Sequence, residues 1–184
     1  MYFTNNPLTE LRSLLSERLA SAILRRHCDT VGDGATVLGR PVIMNAGRIE
    51  IASGFMLSCS PVPSHLATGS SGRLIVGRNV RISSGASLFA NELIEIGDET
   101  TIGPMAIVLD IDFHEVKSRD SRGDARPIRI GRGVRIGSGV VILRGAVIGD
   151  GAHIGPSSVV ARAVPPGVYA EGVPARPIGH AHGW

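Results

Sequence analysis

The chain is poor in the residues that usually fill a thick core or cross a membrane. Aromatic residues make up only 4% of its 184 residues, although 43% of the residues are hydrophobic. The core must therefore be filled by Val, Ile, Leu and Ala, which suits thin, repetitive layers. The longest apolar stretches, such as Val140 to Leu143, are far shorter than the ~20 residues of a membrane helix. The sequence predicts no membrane span.

Other classes are also disfavoured by what is scarce. The N-terminus has no basic start followed by an apolar run, so we expect no secretion signal and a cytoplasmic protein. The two cysteines, Cys28 and Cys59, form no CxxC pair and no zinc-like cluster with the six histidines, and we expect buried, reduced thiols. The net charge of +3 comes mainly from Arg and fits a small anionic cofactor. Few aromatics and scattered Arg residues argue against nucleic-acid binding.

Glycine is abundant, and an internal repeat accompanies it. The 24 Gly and 11 Pro indicate many tight turns, while the lack of a Gly-X-Y period excludes collagen. An aliphatic residue recurs at every sixth position, at Ile130, Ile136, Ile142, Ile148, Ile154 and Val160. Four residues after each comes a small or branched residue, namely Val134, Val140, Ala146, Ala152, Ser158 and Val164.

A period of six excludes a helix and favours short strands. On a helix, six steps of about 100° place successive members about 240° apart, so they share no face. In an extended chain, even spacing keeps all these side chains on one side. Six-residue units can bury that row only if the chain coils and stacks layer on layer. The sequence therefore predicts an all-β fold, a parallel β-helix.

The flanking segments complete a single-domain plan. Asn6-Pro7 is a helix-start signal, and apolar spacing predicts an amphipathic N-terminal α-helix over 7–26. The segment 58–73 lacks the six-residue phase and is predicted to be irregular. The polar segment 110–127 is predicted to be a projecting loop, where chemistry is usually placed. The domains are a helical segment over 1–30, the β-helix over 31–178 and a tail over 179–184.

The repeat resembles that of the hexapeptide-repeat acyltransferases. Their unit begins with an aliphatic residue and a small or acidic residue, and carries a small or branched residue at its fifth position. IGSGVV, IGDGAH and IGPSSV fit this unit, and the resemblance covers about 31–178. It implies a left-handed, three-sided coil of eighteen residues and a homotrimer.

Within the family, the 110–127 loop is similar to that of the maltose, galactoside and nodulation-factor acetyltransferase branch. There a histidine just before a Glu is the catalytic base, and His114-Glu115 matches this pair. The resemblance implies that His114 is a general base, a role suited to neutral imidazole near pH 7. A carboxylate should hold the second ring nitrogen, and Glu115, Asp112 and Asp110 are all candidates.

The acceptor and cofactor residues also follow from the resemblance. Phe89-Ala90-Asn91 is similar to a Tyr-Ala-Asn stretch whose Asn binds acceptor hydroxyls, although Asn also suits a coil corner. The resemblance implies acetyl-CoA as co-substrate, with its pantetheine arm and phosphates held at Ser138, Gly155, Ala161, Arg162 and Arg176. Arg135 stands where many members carry Trp, and it can instead belong to a solvated face with Arg129, Arg132 and Arg144.

The resemblance implies an acetyl-CoA-dependent O-acetyltransferase acting on a sugar or polysaccharide. FANELIEIGD, the DFH loop and GVPARPI look most like polysaccharide-biosynthesis members. One alternative is N-acetylation of an amino sugar nucleotide. Another is a zinc enzyme of the γ-carbonic anhydrase type, but only His114 lies in the right block and His153 should point away from the core, so no metal site is predicted. A third is a non-catalytic β-helix binding protein.

Overall fold

The computed structural model describes residues 22–112 and 124–181. Within these ranges the chain forms one short helix, α1 over 22–27, followed by twenty strands. The strands are β1 (Thr30–Val31), β2 (Thr36–Gly39), β3 (Val42–Asn45), β4 (Arg48–Ile51), β5 (Met56–Cys59), β6 (His65–Thr68), β7 (Arg73–Val76), β8 (Arg81–Ile82), β9 (Ser87–Ala90), β10 (Leu93–Ile96), β11 (Thr101–Ile102), β12 (Ile107–Leu109), β13 (Ile128–Ile130), β14 (Arg135–Ile136), β15 (Val141–Ile142), β16 (Val147–Ile148), β17 (His153–Ile154), β18 (Val159–Val160), β19 (Val168–Gly172) and β20 (Ala175–His180).

The strands assemble into three parallel sheets that the chain visits in turn. Sheet A runs β1-β4-β7-β10-β13-β16, and sheet C runs β3-β6-β9-β12-β15-β18. Sheet B runs β2-β5-β8-β11-β14-β17-β19 in parallel and ends with the antiparallel strand β20. From β1 to β18, strands three places apart in the chain pair with each other, which is the topology of a three-sided β-helix. The predicted parallel coil is confirmed, and it is consistent with the left-handed β-helix that the resemblance implied.

The length of a coil varies along the molecule. In the block of regular repeats, Ile136 pairs with Ile154, eighteen residues further on, as the hexapeptide pattern predicts. Earlier coils are longer: Val37 pairs with Leu57, and Leu57 with Ile82. Strands β2 to β7 of these earlier coils have four residues, against two in the regular block from β14 to β18, and the corner at 60–64 is also longer; the ladder keeps its register throughout.

The six-residue repeat forms the core. All six aliphatic positions, from Ile130 to Val160, are buried, and so are the six small or branched positions that follow them. Ile94 shows how they stack: it lies between Leu74 and Ile128 in sheet A, and all three side chains are fully buried. The central column of aliphatic side chains therefore runs through the coils, as predicted.

Glycine follows the aliphatic position because successive coils touch there. A β-carbon at Gly131 would lie 2.7 Å from the amide nitrogen of Asp150 in the next coil. One at Gly137 would lie 2.7 Å from the nitrogen of Pro156. Backbone cannot move away from such a contact without breaking the ladder, so these corners require glycine.

The irregular segment predicted over 58–73 is wrong in its centre. Residues 65–68 form β6, which pairs with β3 and β9 in full register. The true insertion is the B–C corner at 60–64, where buried Ser64 donates a hydrogen bond to the carbonyl oxygen of Ser58 at 2.7 Å. The insertion breaks the six-residue phase in the sequence without breaking the coil.

The two ends of the described coil differ from the prediction in detail. Residues 22–27 are helical, and the rest of the predicted 7–26 helix lies outside the described residues. Leu24 in α1 is fully buried in the core. At the other end, β20 runs two residues into the predicted tail, to His180. None of the helical residues described forms a segment long and apolar enough to cross a bilayer.

Truncating Ile94 to Ala should destabilise the fold by about 2–5 kcal/mol, because the stacked coils cannot collapse into the cavity. The free energy of unfolding from denaturant titration measures the loss. Ile178→Ala is the matched control, since the Ile178 side chain is 64% exposed in β20. An equal loss for the two variants would contradict a continuous core through the coils.

Candidate active site

The chain leaves the coil at one corner and returns at the same place. The C–A corner is formed by the residues that join a sheet C strand to the next sheet A strand. After β12, the carbonyl oxygen of Asp110 accepts a hydrogen bond from the amide of Arg126 at 2.8 Å. Beyond it, Ile111 and Ala125 form an isolated antiparallel bridge. We call 110–112 with 124–126 the loop neck.

Asp110 fastens the neck to the coil above it. Its side chain is fully buried. One carboxylate oxygen accepts from the amide of Asn91 at 2.7 Å, and the other from the amides of Glu92 and Leu93, both at 2.8 Å. A carboxylate offers about four lone-pair positions, and three are used here. Asp110 is one of the three candidates for holding the His114 ring, but its carboxylate already accepts hydrogen bonds from backbone amides.

The second acidic residue of the neck also has a partner. Asp112 Oδ2 accepts a hydrogen bond from Arg144 Nε at 2.5 Å. Arg144 was grouped with Arg129, Arg132 and Arg135 as a possible solvated face, and this is wrong for Arg144. Its side chain is only 28% exposed, and its buried Nη1 has no hydrogen-bond partner among residues 22–112 and 124–181.

Three of the predicted site residues lie at the C–A corner. Asn91 directly follows β9 and is half-buried, with its side-chain oxygen over Gly69, where a β-carbon would come within 2.6 Å. Ala161 and Arg162 directly follow β18 and are exposed. His114 and Glu115 lie outside the described residues, two and three residues beyond Asp112.

The remaining predicted cofactor residues lie elsewhere. Ser138 is exposed at the B–C corner, where its carbonyl oxygen accepts from the Ser157 amide at 2.8 Å. Gly155 is at the same corner but buried: a β-carbon there would lie 2.7 Å from the hydroxyl of Tyr169. Arg176 is exposed on β20. The five predicted cofactor residues are thus divided between the two corners of sheet C and the C-terminal hairpin.

Neither cysteine is available as a nucleophile. Both are buried and free, as the sequence predicts. Burial, reinforced by the neighbouring Asp29 charge, raises the pKa of Cys28 to about 12. Burial also raises the pKa of Cys59. Since the thiolate is the reactive form, an acyl-cysteine intermediate is disfavoured in this chain.

A ladder of polar side chains crosses the outer surface of sheet B. Arg135, His153 and Tyr169 are successive partners in register. The rings of His153 and Tyr169 meet edge to face at 5.1 Å, and the Tyr169 hydroxyl donates to Glu171 at 2.9 Å. His153 therefore points away from the core, as predicted. Among the described residues, no group of three or more His, Cys, Asp or Glu could hold a metal ion.

A groove of about 510 Å³ runs along the outer surface of sheet A. Its lining includes Ile75, Glu95, Arg129 and Val147, and it contains none of the predicted site residues. The guanidinium of Arg129 is paired with Glu95. The charges on this surface thus neutralise each other, and the groove is a weaker candidate than the C–A corner.

The family of the repeat follows from its match to a known family model. The model of the bacterial transferase hexapeptide, with six repeats, matches residues 127–162, which span β13 to β18. The match covers the block of regular repeats, about a fifth of the chain, and supports the hexapeptide interpretation of that block. It does not identify the maltose and galactoside branch. The search of curated proteins gives no match to the chain.

Two solved structures of acyltransferases share the fold. AntD, an N-acyltransferase from Bacillus cereus solved with dTDP-4-amino-4,6-dideoxyglucose and coenzyme A, is 19% identical, with a TM-score of 0.72 over 88% of this chain and 89% of that chain. A hexapeptide-repeat-containing acetyltransferase from Vibrio cholerae O1 biovar eltor, complexed with acetyl coenzyme A, is 25% identical. Its TM-score is 0.67 over 92% of this chain and 80% of that chain.

Sequence reasoning missed the two residues that organise the neck. Asp110 was considered only as a partner of His114, and Arg144 only as a surface charge. Asp110 stands where the six-residue period is interrupted, one coil after the turn at 91–92. This position was the signal in the sequence that could have identified its role. No sequence signal identified the pairing of Arg144 with Asp112.

His153 should titrate below the ~6.5 of a free imidazole, because burial and then the nearby Arg135 charge lower its pKa. Its folded pKa lies below its unfolded one, so its contribution to stability is present at neutral pH and is lost as the pH falls from about 6.5 through the lowered value. An NMR titration, assigned with His153→Gln, measures the midpoint. Arg135→Gln should raise it, and a midpoint at or above 6.5 in the wild type would contradict the assignment.

Proposed function

We propose that this protein is an acetyl-CoA-dependent acyltransferase that moves an acetyl group to a hydroxyl of a sugar or polysaccharide. The proposal rests on one observation: the chain combines hexapeptide repeats with an interruption of the coil at the C–A corner. The described residues that flank this interruption lie beside Asn91, and we infer that His114 belongs to the same site. The proposed compartment is the cytoplasm predicted from the sequence.

Chain geometry brings the proposed base to this corner. His114 follows Asp112 by two residues, so its α-carbon lies within about 7 Å of the Asp112 α-carbon. Asp112 is held on the coil by Arg144. Asn91 is held by Asp110, two residues before Asp112. The proposed base and the proposed acceptor-binding amide thus start from neighbouring anchored points.

In the proposed reaction the acceptor hydroxyl attacks acetyl-CoA directly. Neutral His114 takes the hydroxyl proton as the oxygen bonds to the thioester carbonyl carbon. The tetrahedral intermediate collapses, the carbon–sulfur bond breaks, and the imidazolium returns the proton to the leaving thiolate. Glu115 would hold the second ring nitrogen, since Asp110 and Asp112 have other partners. The high pKa of Cys28 supports direct transfer without an acyl-cysteine.

Exposed residues around sheet C are suited to binding acetyl-CoA. Ser138 and Ala161 stand at its two corners with open surface for a pantetheine arm. Arg162 and Arg176 are exposed cations suited to the phosphates. Gly155 lies beneath Tyr169, so in this proposal the arm contacts the covering side chains there.

A nucleotide amino sugar is the second candidate acceptor. The observation that favours it is the similarity of the fold to AntD, an N-acyltransferase solved with a dTDP-amino sugar. An amine needs the same general base as a hydroxyl, so the C–A corner could serve either acceptor.

We further propose a homotrimer assembled through the outer surface of sheet C. Outward positions in the described strands of this sheet carry no Asp, Glu, Lys or Arg; they are Val42, Met44, His65, Ala67, Ser87, Phe89, Ile107, Leu109, Val141 and Val159. Met44 is 58% exposed. Sheet A instead presents Arg48, Glu50 and Arg73. An exposed apolar surface of this kind is suited to a second copy of the chain.

Replacing His114 by Ala should lower acetyl transfer by about 10²–10⁴-fold, because the hydroxyl loses its proton acceptor. Release of free CoA thiol from acetyl-CoA measures the rate across sugars, oligosaccharides and nucleotide amino sugars. His27→Ala is the control, since His27 is an exposed histidine at the end of α1. Turnover with hydroxyl acceptors supports O-acetylation, whereas turnover restricted to amines moves the proposal to N-acetylation. Unchanged turnover in His114→Ala, or no binding of acetyl-CoA by the wild type, would overturn the mechanism.

Replacing Met44 by Arg should dissociate the trimer, because a charge would be buried in an apolar interface. Sedimentation velocity measures the assembly state. Met56→Arg is the matched control: Met56 is 39% exposed on sheet B, where its ladder partner is Arg81. A wild-type monomer, or equal effects of the two changes, would contradict assembly through sheet C.

A further inference from the structure

The corner above the loop neck is a two-residue turn. β9 ends at Ala90 and β10 begins at Leu93, so Asn91 and Glu92 alone make the turn. The amides of residues 91, 92 and 93 all donate to the carboxylate of Asp110, at 2.7, 2.8 and 2.8 Å. One side chain therefore fixes the backbone of the whole turn.

The carboxylate replaces ladder acceptors that the interruption removes. Elsewhere, an amide at the start of a sheet A strand donates to a carbonyl in the next coil, as Arg73 does to Glu92 at 3.1 Å and Arg129 to Ala146 at 3.0 Å. The register of β10 with β13 would give Leu93 the carbonyl of Arg126. Leu93 instead donates to Asp110. Without that carboxylate, the three amides would lose partners that the coil no longer supplies, which is costly at a partly buried corner.

The same residue closes the loop neck. The Asp110 carbonyl oxygen accepts from the Arg126 amide at 2.8 Å, next to the bridge between Ile111 and Ala125. The side chain of Asp110 thus holds the Asn91 turn, while its backbone holds the point from which the His114 segment departs. Asp110 therefore joins the Asn91 turn to the loop neck.

We propose that Asp110 is the positioning residue of the active site, which sets Asn91 against the start of the His114 segment. It acts through these two groups and not on the reacting atoms. The inference rests on the proposed acetyl transfer and deepens it, because it explains how an interrupted coil holds a defined acceptor geometry.

The test compares Asp110→Asn with a matched change at the same corner. Asparagine keeps one acceptor oxygen and turns an amino group toward backbone amides that need an acceptor. Thr68→Val is the control: Thr68 is the buried last residue of β6, and its hydroxyl accepts from the Gly47 amide at 3.0 Å. Thr68 lies two coils from Asp110 along sheet C, so Thr68→Val removes a hydrogen bond that has only a structural role.

We expect Asp110→Asn to lower kcat/KM for the acceptor by about 10²-fold, the cost of misplacing reacting groups by about 1 Å. The dissociation constant of acetyl-CoA should stay unchanged, and the loss of melting temperature should resemble that of Thr68→Val, which keeps its activity. Combined with Asn91→Ala, the effect should be less than additive, because Asp110 acts partly through Asn91.

Each outcome decides the inference. A folded Asp110→Asn variant with wild-type kcat/KM overturns it, and so does an equal loss of activity in Thr68→Val. If Asp110→Asn fails to fold, Asp110→Glu keeps both oxygens one methylene further out, and full activity in that variant overturns the inference. An active wild type with unaffected Asp110 variants refutes the inference alone. A wild type inactive on every acceptor refutes the proposed function and the inference with it.

Discussion

The β-ladder between coils is the interaction on which the rest of the molecule depends. It holds successive coils about 4.8 Å apart, a distance set by backbone hydrogen bonds and independent of the side chains. Inside the coil, this spacing lets aliphatic residues such as Ile94 stack directly on their partners. At the corners, it leaves no room for a β-carbon at positions such as Gly131. The spacing between coils thus determines which residues fit both the core and the corners. The six-residue repeat of the sequence reflects this requirement.

The candidate site arises where that ladder is broken. In a regular solenoid every layer repeats the one before it, so a site that occurs once needs a departure from the repeat. When the chain departs after β12, the amides of the coil above lose their ladder acceptors, and the Asp110 carboxylate takes them. Arg144 then ties the departing segment to the coil below through Asp112. The rigid repeat can thereby be interrupted while the amides of the Asn91 turn keep their hydrogen bonds.

The sequence predicted what depends on periodicity. Even spacing of Ile130 to Val160 was enough to give parallel strands, an inward row and glycine corners, because each residue there meets an equivalent of itself. The prediction failed over 58–73, where the insertion at 60–64 shifts the phase although β6 keeps its register. The role of Asp110 depends on which amides the interruption leaves without acceptors, and this is a property of the stacked coil. The sequence shows that an acidic residue stands at this position, but it does not show which groups that residue binds. The same is true of Arg144.

The closing hairpin of the coil has a consequence for how the protein behaves at high concentration. An open solenoid end presents unpaired backbone groups that can template another chain. In sheet B, β19 continues the parallel ladder, and β20 folds back on it in the opposite direction. Because β20 runs antiparallel to the coil, a further parallel coil would not find its usual register on it. The hairpin thus covers the edge of sheet B and discourages end-to-end fibre growth along this sheet.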